Sequence, residues 1–93
     1  MIQSFADKPT EALWVGRRPP GLPHSIHKVA LRKLTQLEAA STLDELRLPP
    51  GNRLEALKGK RVGQHSIRVN DQYRVCFRWN GQSAFDVEIA DYH

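Results

Sequence analysis

The stretch HSIRVNDQYRVCFRW, residues 65–79, decides the fold. On either side of its centre, apolar and polar side chains alternate with a period of two, which is the period of a β-strand with one buried face. The polar triplet at 70–72 consists of residue types that favour turns. The sequence therefore predicts two antiparallel strands here, over 65–69 and 73–79.

Further strands are predicted on both sides of this pair. Asn80-Gly81 is a strong hairpin signal, and the alternating run 85–90 that follows it predicts a last strand. Upstream, the leucines within 54–57 indicate another strand, and residues 1–5 predict a short strand at the N-terminus. The second half of the chain is therefore expected to form a mainly antiparallel sheet.

Two helices are predicted before the sheet. The first covers Thr10–Gly16, with Gly16 as its end, and the segment 17–23 after it contains three prolines and cannot be helical. The second helix is expected over 25–40, and Thr42–Glu45 has the form of a capping box that begins a short further turn. Apolar residues of the second helix repeat at three-to-four spacing and form one stripe: Ile26, Val29, Ala30, Leu34 and Leu37.

The polar residues of the second helix, among them Lys33, are expected at the sides of that stripe or opposite it. The predicted fold is α+β: a short N-terminal strand and two helices packed on one face of a mainly antiparallel sheet. A chain of 93 residues fits a single domain over 1–93.

Composition excludes several classes of protein. Hydrophobic residues make up 40% and charged residues 26% of the chain, as in ordinary globular domains. No run is long enough to span a membrane, and residues 1–5 lack the features of a signal peptide, so a cytoplasmic protein without a membrane partner is expected. The single cysteine, Cys76, excludes an internal disulfide and a multi-thiolate metal site, and is expected to be a small, half-buried side chain.

The net charge of +4 is concentrated in one part of the chain. Residues 53–78 contain seven basic and two acidic side chains, a distribution that favours a polyanionic partner such as nucleic acid. If the apolar residues of 73–79 face the helices, Arg74 and Arg78 face the other side and make the open face of the sheet positive. Two alternatives stay open: a solvated basic surface, or ion pairs between these arginines and Asp86 and Glu88 on the next strand.

The end of the chain carries a second group of reactive side chains. Asp91, Tyr92 and His93 supply a carboxylate, a phenol and an imidazole directly after the last predicted strand. Imidazole changes charge near neutral pH, which makes His93 the natural proton carrier of the three. The alternative is a frayed tail without a chemical role.

Other combinations of reactive residues are incomplete. His24 and His27 lie three residues apart without a suitably placed third ligand, so no metal and no other cofactor is expected. Ser66 has His65 as its neighbour, but adjacent residues of a strand point to opposite faces, which disfavours a nucleophile and base pair.

Three segments resemble a known protein family. They are PPGNRLEALKG at 49–59, GQHSIRVNDQYRVCF at 63–77 and VEIADYH at 87–93. Together they are similar to the HigB-type toxins, a branch of the RelE/ParE superfamily that includes the GraT-like toxins. The second half of the chain matches closely, and the first half matches in its layout.

The resemblance implies a ribosome-dependent endoribonuclease that cuts messenger RNA in the decoding site without a metal, through attack of the ribose 2′-hydroxyl on the adjacent phosphate. By position, Lys58 and Arg74 would stabilise the phosphate charge, Asp91 and His93 would supply acid or base, and Tyr92 would orient or stack on a nucleobase. Some relatives have a histidine where this chain has Glu55, which would repel RNA but is able to act as a base. Further residues are candidates for RNA contact: Arg53, Lys60, Arg61, Arg68 and Arg78.

The resemblance also implies an antitoxin of HigA type, with a helix-turn-helix, which neutralises the toxin and represses the operon. Operator DNA would be contacted only through the toxin–antitoxin complex. Two alternatives remain on the same sequence: a ParE-like gyrase poison, and a basic RNA- or DNA-binding module without catalysis. The ending Asp91-Tyr92-His93 disfavours the ParE-like activity, which needs no proton carriers there.

Overall fold

The computed structural model describes residues 1–91, and this part of the chain contains two α-helices, four short 3-10 helices and one four-stranded antiparallel sheet. The helices are α1 (Lys8–Trp14) and α2 (His27–Ala39). The strands lie in the order β1-β2-β3-β4 and are β1 (Glu55–Ala56), β2 (His65–Arg68), β3 (Tyr73–Trp79) and β4 (Ala84–Asp91). The α+β architecture predicted from the sequence is confirmed. Tyr92 and His93 lie outside the described residues.

Helix α1 begins two residues earlier than predicted, because Asp7 caps it. The Asp7 carboxylate accepts a hydrogen bond from the backbone N–H of Thr10 at 2.9 Å, which satisfies one of the free donors of the first turn. At the other end Gly16 has φ 91°, and the N–H groups of Gly16 and Arg17 donate to the carbonyls of Leu13 and Ala12. This is a Schellman ending, so the predicted role of Gly16 is confirmed.

Helix α2 packs its predicted apolar stripe against the sheet, but it also buries a lysine. Ile26, Ala30, Leu34 and Leu37 are buried, as the spacing predicts. Lys33 is only 8% exposed, where the sequence predicted a side or outer position. The physical reason is a polar partner: its Nζ donates to Oδ1 of the fully buried Asn52 at 2.6 Å. Burial, together with the charges of Arg32 and Arg68, lowers the pKa of Lys33.

The sheet has two unequal faces. Its helix-facing side carries the main core, with Ile67, Val75, Phe77 and Val87 packed against α2, so the predicted direction of the alternating strand residues is confirmed. The other face has a small cluster of its own: Leu57, Cys76 and Ala90. Cys76 is 1% exposed, more buried than the sequence predicted, because Leu57 folds over it.

The predicted N-terminal strand is not continuous. Two isolated parallel bridges join this segment to β4, between Ile2 and Ala84 and between Phe5 and Val87. Between these bridges β4 contains a bulge, where the register against β3 shifts and Asp86 has φ 52°. A bulge interrupts a regular ladder of hydrogen bonds. The N-terminal segment therefore pairs with β4 at two separate points, Ala84 and Val87, and not along a continuous strand. Within residues 1–91, no helix is long and apolar enough to cross a membrane.

The capping box at Thr42 gives a pH-dependent stability. The Glu45 carboxylate accepts from the backbone N–H groups of Thr42 and Ser41, and these bonds lower its pKa. A lowered carboxyl pKa contributes stability above the ordinary value of about 4.3, and the contribution is lost as pH falls through the lowered value. We expect Glu45→Gln to lower Tm at pH 7 and to lower it less as the pH falls through the lowered pKa of Glu45.

Thermal unfolding followed by circular dichroism at several pH values measures this difference. Glu11→Gln is the control, because it neutralises another exposed glutamate and leaves the capping box intact. An equal loss of Tm for Glu45→Gln at pH 7 and pH 3 would contradict the assignment.

The buried pair of Lys33 and Asn52 gives a second prediction. Asn52→Ala leaves a buried ammonium without its acceptor, at a cost of about 2–4 kcal/mol in the free energy of unfolding. In a Lys33→Met background the same substitution leaves no charge behind, and we expect it to cost less. Urea unfolding of the two single variants and the double variant measures the coupling, and additive losses would show that the two side chains do not depend on each other.

Candidate functional site

The open face of the sheet, opposite the helices, is defined by the strand register. In the β2–β3 pair Ser66 lies opposite Cys76, and in the β1–β2 pair Glu55 lies opposite Ser66. Directly opposed residues of antiparallel strands share a face. Glu55, Ser66, Arg74 and Cys76 therefore all belong to the open face.

Arg74 is the most firmly held cation on this face. Its Nε donates to the Ser66 hydroxyl at 2.7 Å, and its Nη2 donates to the main-chain carbonyl of Arg53 at 2.7 Å. Its Nη1 lies 3.4 Å from Oε1 of Glu55, and the Arg74 side chain is 15% exposed. The guanidinium is thus oriented by three neighbours on β1, β2 and the segment before β1.

The Arg53 carbonyl reaches Arg74 because of an unusual backbone conformation. Arg53 has φ 46° and ψ 54°, in the left-handed region that residues other than glycine rarely adopt. The residue before it, Asn52, is completely buried and donates from Nδ2 to the carbonyls of Leu46 and Leu48 and to Gln36. These bonds fix the chain at the point where the Arg53 carbonyl turns toward Arg74.

Three other arginines predicted to contact RNA, Arg61, Arg68 and Arg78, are paired with carboxylates. Arg61 donates to Glu88 at 2.7 Å and to Gln64 at 3.0 Å. Arg78 lies 3.6 Å from Asp86, which is the cross-strand ion pair that the sequence left open as an alternative. Arg68 pairs with Asp71 in the turn between β2 and β3.

Arg78 also lies close to the loop that joins β1 to β2. A Cβ atom built on Gly63 would lie 2.8 Å from Nη1 of Arg78, and Gly63 has φ +92°, a backbone conformation that favours glycine. Lys58 and Lys60 belong to the same loop, on either side of Gly59, and both are exposed. The loop thus presents two lysines at the rim of the open face.

Asp91 lies on the other face of the sheet. Its partner in the β3–β4 pair is Tyr73, whereas Ala90 is the residue opposite Arg74. Neighbouring residues of a strand point to opposite faces, so the Asp91 side chain is directed away from Arg74. Its Oδ2 accepts from Nε2 of Gln72 at 3.0 Å. The predicted roles of Tyr92 and His93 fall outside the described residues.

Other chemistry receives little support in the part of the chain that the structure describes. Residues 1–91 contain no group of three histidine, cysteine or acidic side chains that could hold a metal ion. Burial raises the pKa of the Cys76 thiol, which disfavours the nucleophilic thiolate. The arrangement that stands out is an oriented guanidinium beside a carboxylate: Arg74 is able to bind a phosphate oxygen, and Glu55 is able to accept a proton.

Sequence reasoning missed two residues of this site. Ser66 was considered only as a nucleophile, although the strand alternation that places Ser66 and Arg74 on one face was already visible. Asn52 follows Pro49-Pro50-Gly51 and resembles an ordinary turn residue in the sequence. Its burial depends on contacts with α2, which no local pattern reveals.

Comparison with known proteins identifies the class to which this fold and site belong. Residues 3–93 match the family model described as a RelE-like toxin of the type II toxin-antitoxin system HigB. The protein named Toxin HigB-1 from Vibrio cholerae serotype O1 is 45% identical over 80 residues, which cover 85% of this chain and 84% of that protein. An uncharacterized protein of Haemophilus influenzae is 41% identical over 58 residues, 62% of this chain and 57% of that protein.

The chain therefore belongs to the HigB-like family of RelE-like toxins. The resemblance recognised in the sequence is confirmed. Membership of a type II toxin–antitoxin system implies an antitoxin as a protein partner.

Proposed function

We propose that this protein is a ribosome-dependent mRNA endonuclease that inhibits translation. The observation that carries the proposal is the Arg74 guanidinium, oriented by Ser66 and Arg53 beside the Glu55 carboxylate, in a chain of the RelE-like family. A fixed cation next to a proton acceptor suits RNA cleavage, where negative charge develops on a phosphate as a proton is removed.

The proposed reaction needs no metal. A base removes the proton of the ribose 2′-hydroxyl, and its oxygen forms a bond to the adjacent phosphorus. The bond from phosphorus to the 5′ oxygen of the next nucleotide then breaks, an acid protonates that oxygen, and a cyclic phosphate remains. Arg74 and Lys58 stabilise the charge on the phosphorane.

The acid and the base are to be chosen among Glu55, Asp91 and His93, and Tyr92 orients or stacks on a nucleobase. Glu55 is supported as a base by its position beside Arg74. Arg53 and Lys60 are exposed and contact RNA directly. Arg61, Arg68 and Arg78 each pair with a carboxylate and lose that ion pair when they bind a phosphate. We therefore expect them to add less to RNA affinity.

The proposed partners are mRNA on the ribosome and a HigA-type antitoxin with a helix-turn-helix. Because the proposed substrate is mRNA on the ribosome, the proposed location of the protein is the cytoplasm. The antitoxin neutralises the toxin, and operator DNA is bound through the toxin–antitoxin complex.

Cleavage of a defined message by purified protein with translating ribosomes tests the proposed activity. We expect the wild type to cut the message, and Arg74→Ala and His93→Ala to cut it at least about 100-fold more slowly, because each substitution removes a charge or a proton carrier from the transition state. Primer extension on the recovered message measures the rate and the cut position.

Arg17→Ala is the matched control, because it removes an exposed arginine from the loop after α1 and should leave the rate unchanged. An intact message with wild-type protein, or equal cleavage by Arg74→Ala and His93→Ala, would contradict the proposal. Growth arrest without cleavage, relieved by resistant gyrase, would favour a ParE-like activity instead.

Substitution of Glu55 separates RNA binding from chemistry. Glu55→Gln removes the negative charge 3.4 Å from Arg74, and we expect it to tighten binding of single-stranded RNA about 3- to 10-fold at low salt, with a smaller gain at high salt. Fluorescence anisotropy at two salt concentrations measures the affinity.

Asp44→Asn is the control, because it neutralises an exposed carboxylate that pairs with Arg47 outside the sheet, and it should leave the RNA affinity unchanged. If Glu55 is the base, cleavage by Glu55→Gln falls although binding tightens. If cleavage rises with affinity, the base is Asp91 or His93. Unchanged RNA affinity would show that the open face does not bind RNA.

A further inference from the structure

Ser66 has an oxygen that points at the candidate catalytic cation. Its side chain is completely buried in β2, and its hydroxyl lies 2.7 Å from Nε of Arg74. We propose that Ser66 is a positioning residue, which holds the Arg74 guanidinium in the orientation needed at the phosphate. This inference rests on the proposed function and assigns a role to a residue outside the reacting groups.

The geometry of the guanidinium explains why one hydroxyl has this effect. Nε and Nη2 lie on the same edge of the planar group and donate in parallel directions. Ser66 and the Arg53 carbonyl occupy this edge, each at 2.7 Å. Two bonds to one edge fix both the plane and the rotation of the fork, which a single contact does not achieve.

Both acceptors belong to rigid parts of the fold. Ser66 lies in the middle of the sheet, paired with Glu55 on one side and Cys76 on the other. The Arg53 carbonyl follows Asn52, which is fully buried and bonded to α2 through Lys33 and Gln36. Arginine has a flexible side chain, and acceptors on mobile loops would not preorganise it.

Loss of the Ser66 hydroxyl should therefore slow the chemical step more than it weakens binding. Ser66→Ala keeps the charge of Arg74 but removes one of the two bonds that fix this edge of its guanidinium, so RNA is still attracted while the cation is misplaced. We expect the single-turnover cleavage rate to fall about 10- to 100-fold, with the half-saturating concentration of message-bearing ribosomes changed by less than about threefold.

A double-mutant cycle with Arg74→Lys separates positioning from stability. Lysine has no planar fork, so Ser66→Ala should reduce the rate less than about threefold in the Arg74→Lys background. Ser83→Ala is the matched control: it removes another buried serine hydroxyl, which accepts from Gln3 beside the turn between β3 and β4, and it should leave the rate unchanged. An unchanged rate for Ser66→Ala, or an equal loss in both backgrounds, would overturn the proposal.

A spectroscopic readout keeps the inference independent of cleavage. In ¹H–¹⁵N spectra of the wild type, we expect the Arg74 Nε–H signal to exchange slowly with water, unlike the signal of exposed Arg17, and Ser66→Ala to make it exchange rapidly. A rapidly exchanging Arg74 signal in the wild type would overturn the positioning role. If the wild type cleaves no message but the Arg74 Nε–H signal exchanges slowly with water, the proposed function is wrong, whereas the positioning of Arg74 by Ser66 is supported.

Discussion

The buried amide of Asn52 connects helix α2 to the candidate site. Asn52 is completely inaccessible to solvent, and a buried amide without partners would be strongly destabilising. Its partners come from two directions: Lys33 and Gln36 on α2, and the carbonyls of Leu46 and Leu48. These bonds fasten the segment before β1 to α2. Because Arg53 follows directly, the same bonds determine where its carbonyl meets Arg74.

The local patterns of the sequence predicted the elements of the fold well. Alternation over 73–79 predicted β3 with the correct inward face, because a strand with one buried side repeats every two residues. The apolar stripe of α2 and the ending of α1 at Gly16 were predicted for the same reason, since each depends on residues within a few positions of one another. Features that depend on distant contacts were not predicted. Lys33 is buried because Asn52, 19 residues further along the chain, provides an acceptor.

The charge of the open face shows a similar division. The sequence located the excess of basic residues, but four of its arginines pair with carboxylates: Arg61 with Glu88, Arg68 with Asp71, Arg74 with Glu55 and Arg78 with Asp86. These ion pairs orient the arginines and reduce the positive potential of the face. The exposed cations Arg53, Lys58 and Lys60 contribute to the positive potential that remains.

The position of Asp91 bears on how the acid and base roles are divided. Its pairing with Tyr73 directs it to the face opposite Arg74, whereas Glu55 lies on the face of Arg74 and within 3.4 Å of it. In the proposed reaction, a proton acceptor beside Arg74 is better placed for the 2′-hydroxyl than one across the sheet. Glu55 would then have two opposing effects on that reaction. Its charge lies beside Arg74 and orients it, but it would repel an RNA backbone, so the arrangement that suits Glu55 as a base would also weaken the binding of RNA.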